Sequence, residues 1–393
     1  MANDPHELPA IHRLLRRWHE RARSVGVLHW LVIVTRIGLA LAFVPQGLLK
    51  LRGVPFTTVS TTTRVGYFFD AMYRSGEFWR FIGASQLIVS LLLLLPATST
   101  LGALLFLPII LNIFVLVVAL QYPLLPMVTG GMLLLVTLLI AWDYDRLASV
   151  IWGAPAAYTV PPAPPPARRY VARVRSRLQR LHTKARTHAA LHRLAVISRI
   201  LLALAFMPTA MVKMLGLRFT SISPSTPIGH FFEAMYQSGI YWRFLGLSQL
   251  VAGALLLIPA TSTVGAVLFF PIALSIFVIT VSLHFTGTPV ITGLMLLAAT
   301  FLLCWDYHRL AALLWGAPAV YDVERAPSFP LVERVGYVVG GVGAMAVLFL
   351  ARGLGTTGAM RAMAIGGILL ALIGAALVVT GWVQATRPVR QAT

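Results

Sequence analysis

The stretch TRIGLALAFVPQGLLKL, residues 35–51, recurs 163 positions later as SRILLALAFMPTAMVKM, residues 198–214. The same shift, without a gap, matches WDYDRLASVIWGAPAAY at 142–158 to WDYHRLAALLWGAPAVY at 305–321. When residues 35–158 are aligned with residues 198–321, more than half of the aligned positions are identical. A match at one fixed offset over such a length indicates an internal duplication. Because each copy is far longer than a solenoid unit, the sequence predicts two tandem domains.

The composition is typical of a membrane protein. Of 393 residues, 58% are hydrophobic and 11% are charged, and the mean hydropathy is +0.82. Runs of about 20 apolar residues are long enough to cross a bilayer core. The formal net charge of +20 does not indicate nucleic-acid binding, because the Arg and Lys residues lie mainly beside apolar runs, as topology signals do. The sequence therefore predicts an all-α polytopic protein whose partner is the lipid bilayer and not a nucleic acid.

Ten apolar runs predict ten transmembrane helices, four in each copy and two at the end of the chain. They cover about 29–51, 80–96, 101–120, 128–148, 192–214, 243–259, 264–283, 291–311, 334–351 and 362–383. The first is expected to bend or end at Pro45, since proline removes a backbone donor. The last two runs are rich in Gly and Ala, which permits close helix packing, and they have no counterpart in the copies.

This pattern divides the chain into five predicted parts. They are a basic segment at 1–28, a four-span unit at 29–158, a Pro-rich linker with a basic amphipathic helix at 159–191, a second four-span unit at 192–321, and a linker with two closing spans and a tail at 322–393. Each unit is predicted to form a four-helix transmembrane bundle. Within the first unit, FFDAMYRSGEFW at 68–79 predicts a short helix at the membrane surface.

The basic segments predict the orientation. An even number of spans per copy places the N-terminus, the basic linker and the C-terminal tail on one face, which is then the cytoplasmic face of the inner membrane. Both copies would run in the same direction, unlike the inverted repeats of many transporters. The basic HRLLRRWHERAR at 12–23 has two open interpretations: an amphipathic helix on anionic headgroups, or a tail that only sets topology.

Four charged residues fall near the predicted cytoplasmic ends of spans. Arg36 and Asp143 lie at similar depth on the first and fourth spans, and Arg199 and Asp306 repeat them. Charges at membrane depth usually pair with one another. The preferred interpretation is a structural ion pair in each copy, and the alternative is a role in proton or ligand handling.

Polar residues at matched positions towards the predicted outer face form a candidate ligand-binding cleft in each copy. They are Lys50, Arg80, Gln86, Asn112, Gln121 and Thr129 in the first copy, and Lys213, Arg243, Gln249, Ser275, His284 and Thr292 in the second. A few convergent polar groups between bundle helices are typical of a small-molecule pocket. The same residue types also hydrogen-bond between membrane helices. Both interpretations are open.

Catalytic and metal-binding patterns are missing from the sequence. Cys304 is the only cysteine, so no intrachain disulfide or redox pair can form. No metal-ligand spacing, phosphate-binding loop or nucleophile elbow occurs in a suitable context. The sequence therefore predicts no catalytic residue, no metal and no evident cofactor.

Several motifs are shared by the two copies: the terminal lysine of the first span, the FF(D/E)AMY helix, and the opening WRFIGASQL at 79–87 and WRFLGLSQL at 242–250. The third spans share LFLPIILNIF at 105–114 and LFFPIALSIF at 268–277. By these motifs each copy resembles the DoxX-like family of four-span membrane proteins. The family resemblance implies a four-helix bundle. Some relatives are subunits of a thiosulfate:quinone oxidoreductase or partners in thiol redox systems. The resemblance therefore implies a quinone as a possible cofactor and a redox protein as a possible partner.

Three functions follow as hypotheses. The first is a non-enzymatic binding or redox-accessory protein that holds a small amphiphile, a quinone or a lipid, in the outward polar cleft of each unit. The second is a small-solute transporter or permease with the Arg36–Asp143 and Arg199–Asp306 pairs as inner gates, which the parallel arrangement of the copies argues against. The third is a structural scaffold without a ligand.

Overall fold

The computed structural model describes residues 10–152, 165–315, 329–354 and 360–386. All regular secondary structure in these ranges is helical, and ten of the helices are long and apolar enough to cross a membrane. The chain is therefore an all-α, multi-pass integral membrane protein. The extreme N-terminus, the Pro-rich linker before residue 165, most of the linker after residue 321 and the C-terminal tail lie outside the described residues.

The helices of the two copies correspond one to one from the first span onward. The first copy contains α1 (Ala10–Arg23), α2 (Gly26–Leu51), α3 (Arg64–Arg74), α4 (Glu77–Leu94), α5 (Ser99–Ala119), α6 (Leu125–Trp142) and α7 (Tyr144–Trp152). The second contains α8 (Pro165–Arg186), α9 (Ala189–Met214), α10 (Pro227–Gln237), α11 (Ile240–Leu257), α12 (Ser262–Ser282), α13 (Thr288–Trp305) and α14 (Tyr307–Trp315). The closing helices are α15 (Leu331–Ala351) and α16 (Met360–Thr386).

The fourth span of each copy is shorter than predicted. The apolar pattern predicts one helix through 128–148, but α6 ends at Trp142, and Asp143 separates it from α7. The Asp143 carboxylate accepts a hydrogen bond from the Thr100 hydroxyl of α5, and the freed Trp142 carbonyl accepts one from the His19 side chain. Contacts from other helices therefore replace the backbone bonds lost at the break, and α13 ends in the same way at Trp305.

The first span does not end at its proline. Helix α2 continues through Pro45 to Leu51. Membrane helices tolerate proline where neighbouring groups compensate for the missing donor. Lys50 therefore lies in the last helical turn of α2.

Each copy packs its four long helices around a buried apolar core. Phe43 of α2 stacks on Phe106 of α5 at a centroid distance of 4.1 Å, and Phe206 meets Phe269 at the same distance in the second copy. Lipid tails are as apolar as these side chains, so close van der Waals contact rather than water exclusion holds the helices together. At the α2–α4 crossing, a Cβ on Gly83 would lie 2.6 Å from a backbone oxygen of α2.

The two copies lie side by side and contact each other through equivalent surfaces. Phe78 of the first copy meets Phe231 edge-on at 6.0 Å, and Tyr241 of the second meets Phe68 edge-on at 6.0 Å. Reciprocal contacts of matched residues are the mark of an approximate twofold relation. Aromatic side chains from both copies, including those of Trp79, form one shared buried cluster there.

The closing helices form a glycine-lined pair attached to the second copy. A Cβ on Gly374 of α16 would overlap the Gly340 backbone of α15, so the two helices approach closely only because both residues are glycines. Arg193 of α9 holds Glu333 of α15 through two bonds of 2.7 and 3.1 Å. The residue matched to Arg193 in the first copy is Trp30, whose side chain is 71% exposed.

Candidate ligand-binding site

A buried lysine lies at the C-terminal end of α2. The Lys50 Nζ atom donates to Gln86 Oε1 at 3.2 Å and lies 3.4 Å from the Gln46 carbonyl oxygen. It also faces the rings of Phe56 and Trp79, at 5.1 and 5.3 Å from their centroids. Lys50 and Gln86 are 8% and 1% exposed. These five residues form what we call the first lysine cage.

The second copy repeats this arrangement. Lys213 Nζ donates to Gln249 Oε1 at 2.9 Å and lies 3.5 Å from the Thr209 carbonyl oxygen. The ring centroids of Phe219 and Trp242 lie 4.9 and 5.4 Å from the amine. These five residues form the second lysine cage. We call the end of the molecule that carries both cages the lysine end.

Local packing fixes the walls of each cage. Trp79 Nε1 donates to the Val54 carbonyl oxygen at 3.0 Å, in the loop that follows α2, and this bond orients the indole ring. The glycine at position 83 lets α4 approach α2 so closely that a Cβ there would lie 2.8 Å from Lys50 Cβ. Gln86, one turn further along α4, is thereby brought within hydrogen-bond reach of the amine.

The lysine amines of the two cages have no acidic partner in the part of the chain that the structure describes. No ion pair involves Lys50 or Lys213 among the residues that the structure describes, and the acceptors on both amines are neutral oxygens. An ammonium has three donor hydrogens, so two acceptors leave one hydrogen for a ligand. Aromatic faces stabilise a desolvated cation by roughly 2 kcal/mol, less than its full cost of burial.

The two cages differ in one polar group and one cation. Gln46 Oε1 is buried and has no hydrogen-bond partner in the described part of the chain, so the first cage has an open acceptor one turn before its lysine. The matched Thr209 hydroxyl donates to the Phe206 carbonyl oxygen of its own helix at 2.9 Å. In the second cage, Arg352 at the end of α15 faces the Phe219 ring at 5.5 Å, so two cations face that ring.

The structure does not gather the other predicted cleft residues around the cages. Arg80 is exposed and pairs with Glu77 at 3.0 Å. Asn112 donates to the Pro108 carbonyl oxygen of its own helix and accepts from Tyr241 of the other copy at 3.2 Å. Asn112 therefore belongs to the contact between the copies.

The remaining candidates bond locally or lie in turns. Ser275 donates to the Pro271 carbonyl oxygen, and Thr129 to the Leu125 carbonyl oxygen, each at 2.8 Å within its own helix. Thr292 bonds the Thr280 hydroxyl at 2.9 Å. Gln121 and His284 occupy exposed turns with φ of 54° and 55°, and Arg243 is exposed and lines a cavity between the copies. Only the two lysine–glutamine pairs therefore form compact sites.

The opposite end of the molecule, which we call the aspartate end, holds a paired charge network. Arg36 Nη2 lies 3.2 Å from Asp143 Oδ2, and Arg23 of α1 lies 3.4 Å from Oδ1. The Thr100 hydroxyl donates to Oδ2 at 2.6 Å. Three donors from three helices therefore surround this carboxylate and tie α1, α2 and α5 to the end of α6.

The second copy has a similar network. Arg199 lies 3.5 Å from Asp306, and the Thr263 hydroxyl donates to the same carboxylate at 2.8 Å. His182 bonds the Trp305 carbonyl oxygen at 2.9 Å, as His19 does with Trp142 in the first copy. His19 and His182 also stand 163 positions apart, but they precede the stretch in which the repeat was recognised, so the sequence prediction did not include them.

The Arg193–Glu333 pair was also missed. Arg193 lies in the apolar run of the fifth span, and Glu333 opens the ninth, far from it in sequence. The sequence does contain an indication of this pair. Where the first copy has Trp30, the second copy has Arg193. An arginine at membrane depth usually pairs with an acidic residue.

Comparisons with protein-family models, with curated proteins and with solved structures found no significant match to this chain.

Proposed function

We propose that this is a non-catalytic membrane protein of the DoxX-like type that binds a small amphiphile, a quinone or a lipid, at its two lysine cages. The observation that carries the proposal is the buried, uncompensated ammonium that occurs twice. A buried charge without a counter-ion lowers stability. A buried charged group that is retained without a counter-ion is typical of a functional site.

The chemistry of each cage suits a headgroup with oxygen acceptors. One ammonium hydrogen is available to a carbonyl, ester or phosphate oxygen, and the aromatic walls offer apolar contact to the rest of the ligand. In the first cage, Gln46 Oε1 adds an acceptor. A quinol fits both groups of that cage, since its hydroxyl can accept from Lys50 and donate to Gln46.

The orientation forms part of the proposal. Helix α1 contacts the aspartate end through His19 and Arg23, and α1 carries basic residues along its length. By the positive-inside rule, the aspartate end then faces the cytoplasm, and the lysine end faces outward from the inner membrane. In the redox-accessory form of the proposal, the cages would hold the quinone, which would exchange electrons with a partner protein.

Mass spectrometry of co-purifying small molecules tests the proposal. The full chain is extracted in mild detergent, and bound molecules are quantified per chain. We expect a quinone or one specific lipid in stoichiometric amount in the wild type, and its loss in a Gln86→Leu, Gln249→Leu double variant. The control is Thr137→Val with Thr300→Val, which removes two exposed hydroxyls that bond only their own helices.

Two results would contradict the proposal. One is recovery of only bulk phospholipid, in the proportions of the host membrane, from every variant. The other is a specific ligand that the Gln86→Leu, Gln249→Leu variant retains fully while its thermal unfolding matches that of the wild type.

A further inference from the structure

A cavity of about 310 Å³ opens at the lysine end between the two copies. Its lining includes Arg64 from α3 of the first copy, and Gln237, Trp242 and Arg243 from the second. A neighbouring cavity of about 400 Å³ shares Arg64 and Gln237 and adds Glu233. The two copies therefore contribute one arginine each to the same concave surface.

The two arginines of the cavity lack acidic partners. Within the described ranges, no carboxylate lies within ion-pair distance of Arg64 or Arg243, whereas Arg80 pairs with Glu77 at 3.0 Å. Arg80 and Arg243 occupy matched positions, but Ile240 replaces the glutamate in the second copy. Arg64 has no matched arginine, because Pro227 occupies the corresponding position of the second copy.

The acidic groups nearby are already neutralised. Arg218 donates to both oxygens of Glu233, at 2.9 and 3.0 Å, and these hydrogen bonds lower the pKa of Glu233 below its usual value. Asp70 pairs with Arg74 at 2.8 Å and with His230 at 3.2 Å. Since these carboxylates are paired elsewhere, the arginines of the cavity present net positive charge.

We propose that the Arg64–Arg243 cavity binds a phosphate-bearing anion, at one site per chain. Guanidinium groups match phosphate oxygens with paired N–H donors, and such charge-assisted bonds are among the strongest in proteins. The phosphate belongs either to a lipid headgroup of the surrounding membrane or to a soluble molecule. Its two arginines belong to neither lysine cage, and Trp242 is the one residue that the cavity shares with the second cage. Variants of the arginines therefore test this site separately from the proposed function.

Binding measurements on the full chain test this site. Inorganic phosphate and a short-chain phosphatidylglycerol are titrated separately into the protein in a non-ionic detergent, and binding is followed by isothermal calorimetry. We expect at least one probe to bind, and both Arg64→Gln and Arg243→Gln to weaken it about tenfold or more, which corresponds to about 1.4 kcal/mol. Phosphate binding identifies a soluble ligand, and binding of phosphatidylglycerol alone identifies a lipid.

The repeat supplies matched controls. Arg80→Gln removes the same charge from the same position of the first copy, where it is paired, and should change the affinity less than about twofold. Ile240→Glu gives Arg243 the partner that Arg80 has, and should weaken binding as Arg243→Gln does. The proposal is overturned if neither probe binds the wild type more tightly than an Arg64→Gln, Arg243→Gln double variant. It is also overturned if Arg80→Gln weakens binding as much as Arg243→Gln.

Discussion

Lys50 donates a hydrogen bond to Gln86 across the α2–α4 contact, and no carboxylate in the described ranges balances its charge. The same charge–amide pair recurs in the second copy at 2.9 Å. A pair maintained only for stability would use a carboxylate or an apolar side chain at these positions, because either removes the uncompensated charge. The amide holds the ammonium in place and leaves its charge available.

Replacing Lys50 or Lys213 by methionine should affect the stability of the protein and its ligand binding in different ways. We expect Lys50→Met and Lys213→Met to leave the free energy of unfolding unchanged or to raise it by about 1 kcal/mol or more, because a buried charge is replaced by an apolar side chain. Ligand retention should nevertheless fall in each variant. Thermal unfolding in detergent and mass spectrometry of bound molecules measure the two quantities. A clear loss of stability in both variants would instead assign the lysines a structural role.

The open acceptor at Gln46 predicts a difference between the copies. Gln46→Met should reduce retention of a ligand that carries a hydroxyl donor, because Oε1 has no partner among the residues that the structure describes. Thr209→Val, at the matched position, should have little effect, because that hydroxyl is already bonded to its own helix. Quantifying quinol and quinone separately per chain checks the prediction. Equal losses in the two variants would contradict it.

The Arg193–Glu333 pair should hold the closing helices to the second copy. Glu333 is fully buried, so Glu333→Gln leaves a buried arginine without its counter-ion and should cost about 3–5 kcal/mol. An Arg193→Leu, Glu333→Leu double variant should recover most of that loss. Thermal unfolding measures both. The control is Glu77→Gln, which breaks an exposed pair and should cost less than about 1 kcal/mol. A single-variant loss no larger than that of the control would refute this assignment.

Acid should destabilise the aspartate end of the second copy through His308. Burial, reinforced by the Arg186 charge, lowers the pKa of His308 to about 4, and the neighbouring His182 ring lies 5.3 Å away. The folded state therefore disfavours the protonated imidazole. The stability that His308 contributes is complete above the unfolded pKa of about 6.5 and is lost as the pH falls towards 4, with about 1 kcal/mol lost by pH 5.5.

The substitution His308→Gln should reduce this acid sensitivity. Melting temperatures measured at pH 7.5, 6.5, 5.5 and 4.5 should fall less steeply in the variant than in the wild type. His188→Gln, at an exposed histidine of the same copy, is the control and should leave the slope unchanged. Identical slopes for wild type and His308→Gln would show that other groups govern the acid response.

The hydrogen bond between Tyr241 and Asn112 joins the two copies and is not repeated by the twofold relation. Tyr241 donates to Asn112 at 3.2 Å, while the matched pair, Phe78 and Ser275, lacks a phenol to donate. Tyr241→Phe should cost about 1 kcal/mol, and Asn112→Leu more, since it leaves the part-buried Tyr241 hydroxyl without its acceptor. A double-mutant cycle on thermal unfolding should give a coupling of at least about 0.5 kcal/mol. Strict additivity would show that this bond contributes nothing.

Hydropathy predicts the fold well because the bilayer sets a minimum length for every span. The ten predicted runs correspond to ten helices, but the boundaries differ by a few residues. Helix α4 begins at Glu77 rather than near residue 80, because an apolar run marks contact with lipid and not the first backbone hydrogen bond. The break at Asp143 was missed, since it depends on contacts from α1 and α5 that no local pattern contains.

The site was predictable only in part. Matched polar positions pointed to Lys50 and Gln86, but the same filter also selected residues such as Thr129 and Asn112, which bond their own helices. A sequence position does not say which neighbour a side chain meets. The aromatic walls were hidden for a further reason: Phe56 and Trp79 resemble ordinary interfacial residues until the fold places them against an amine.

The parallel arrangement of the copies has a consequence for ligand movement. Both lysine cages lie at the same end of the molecule, and the shared aromatic cluster that contains Trp79 and Trp242 lies between the copies. A ligand passing from one cage to the other would travel parallel to the bilayer plane and remain in one leaflet. The two sites would then compete for a single lipid pool, and their differences at Gln46 and Arg352 would decide how that pool is shared.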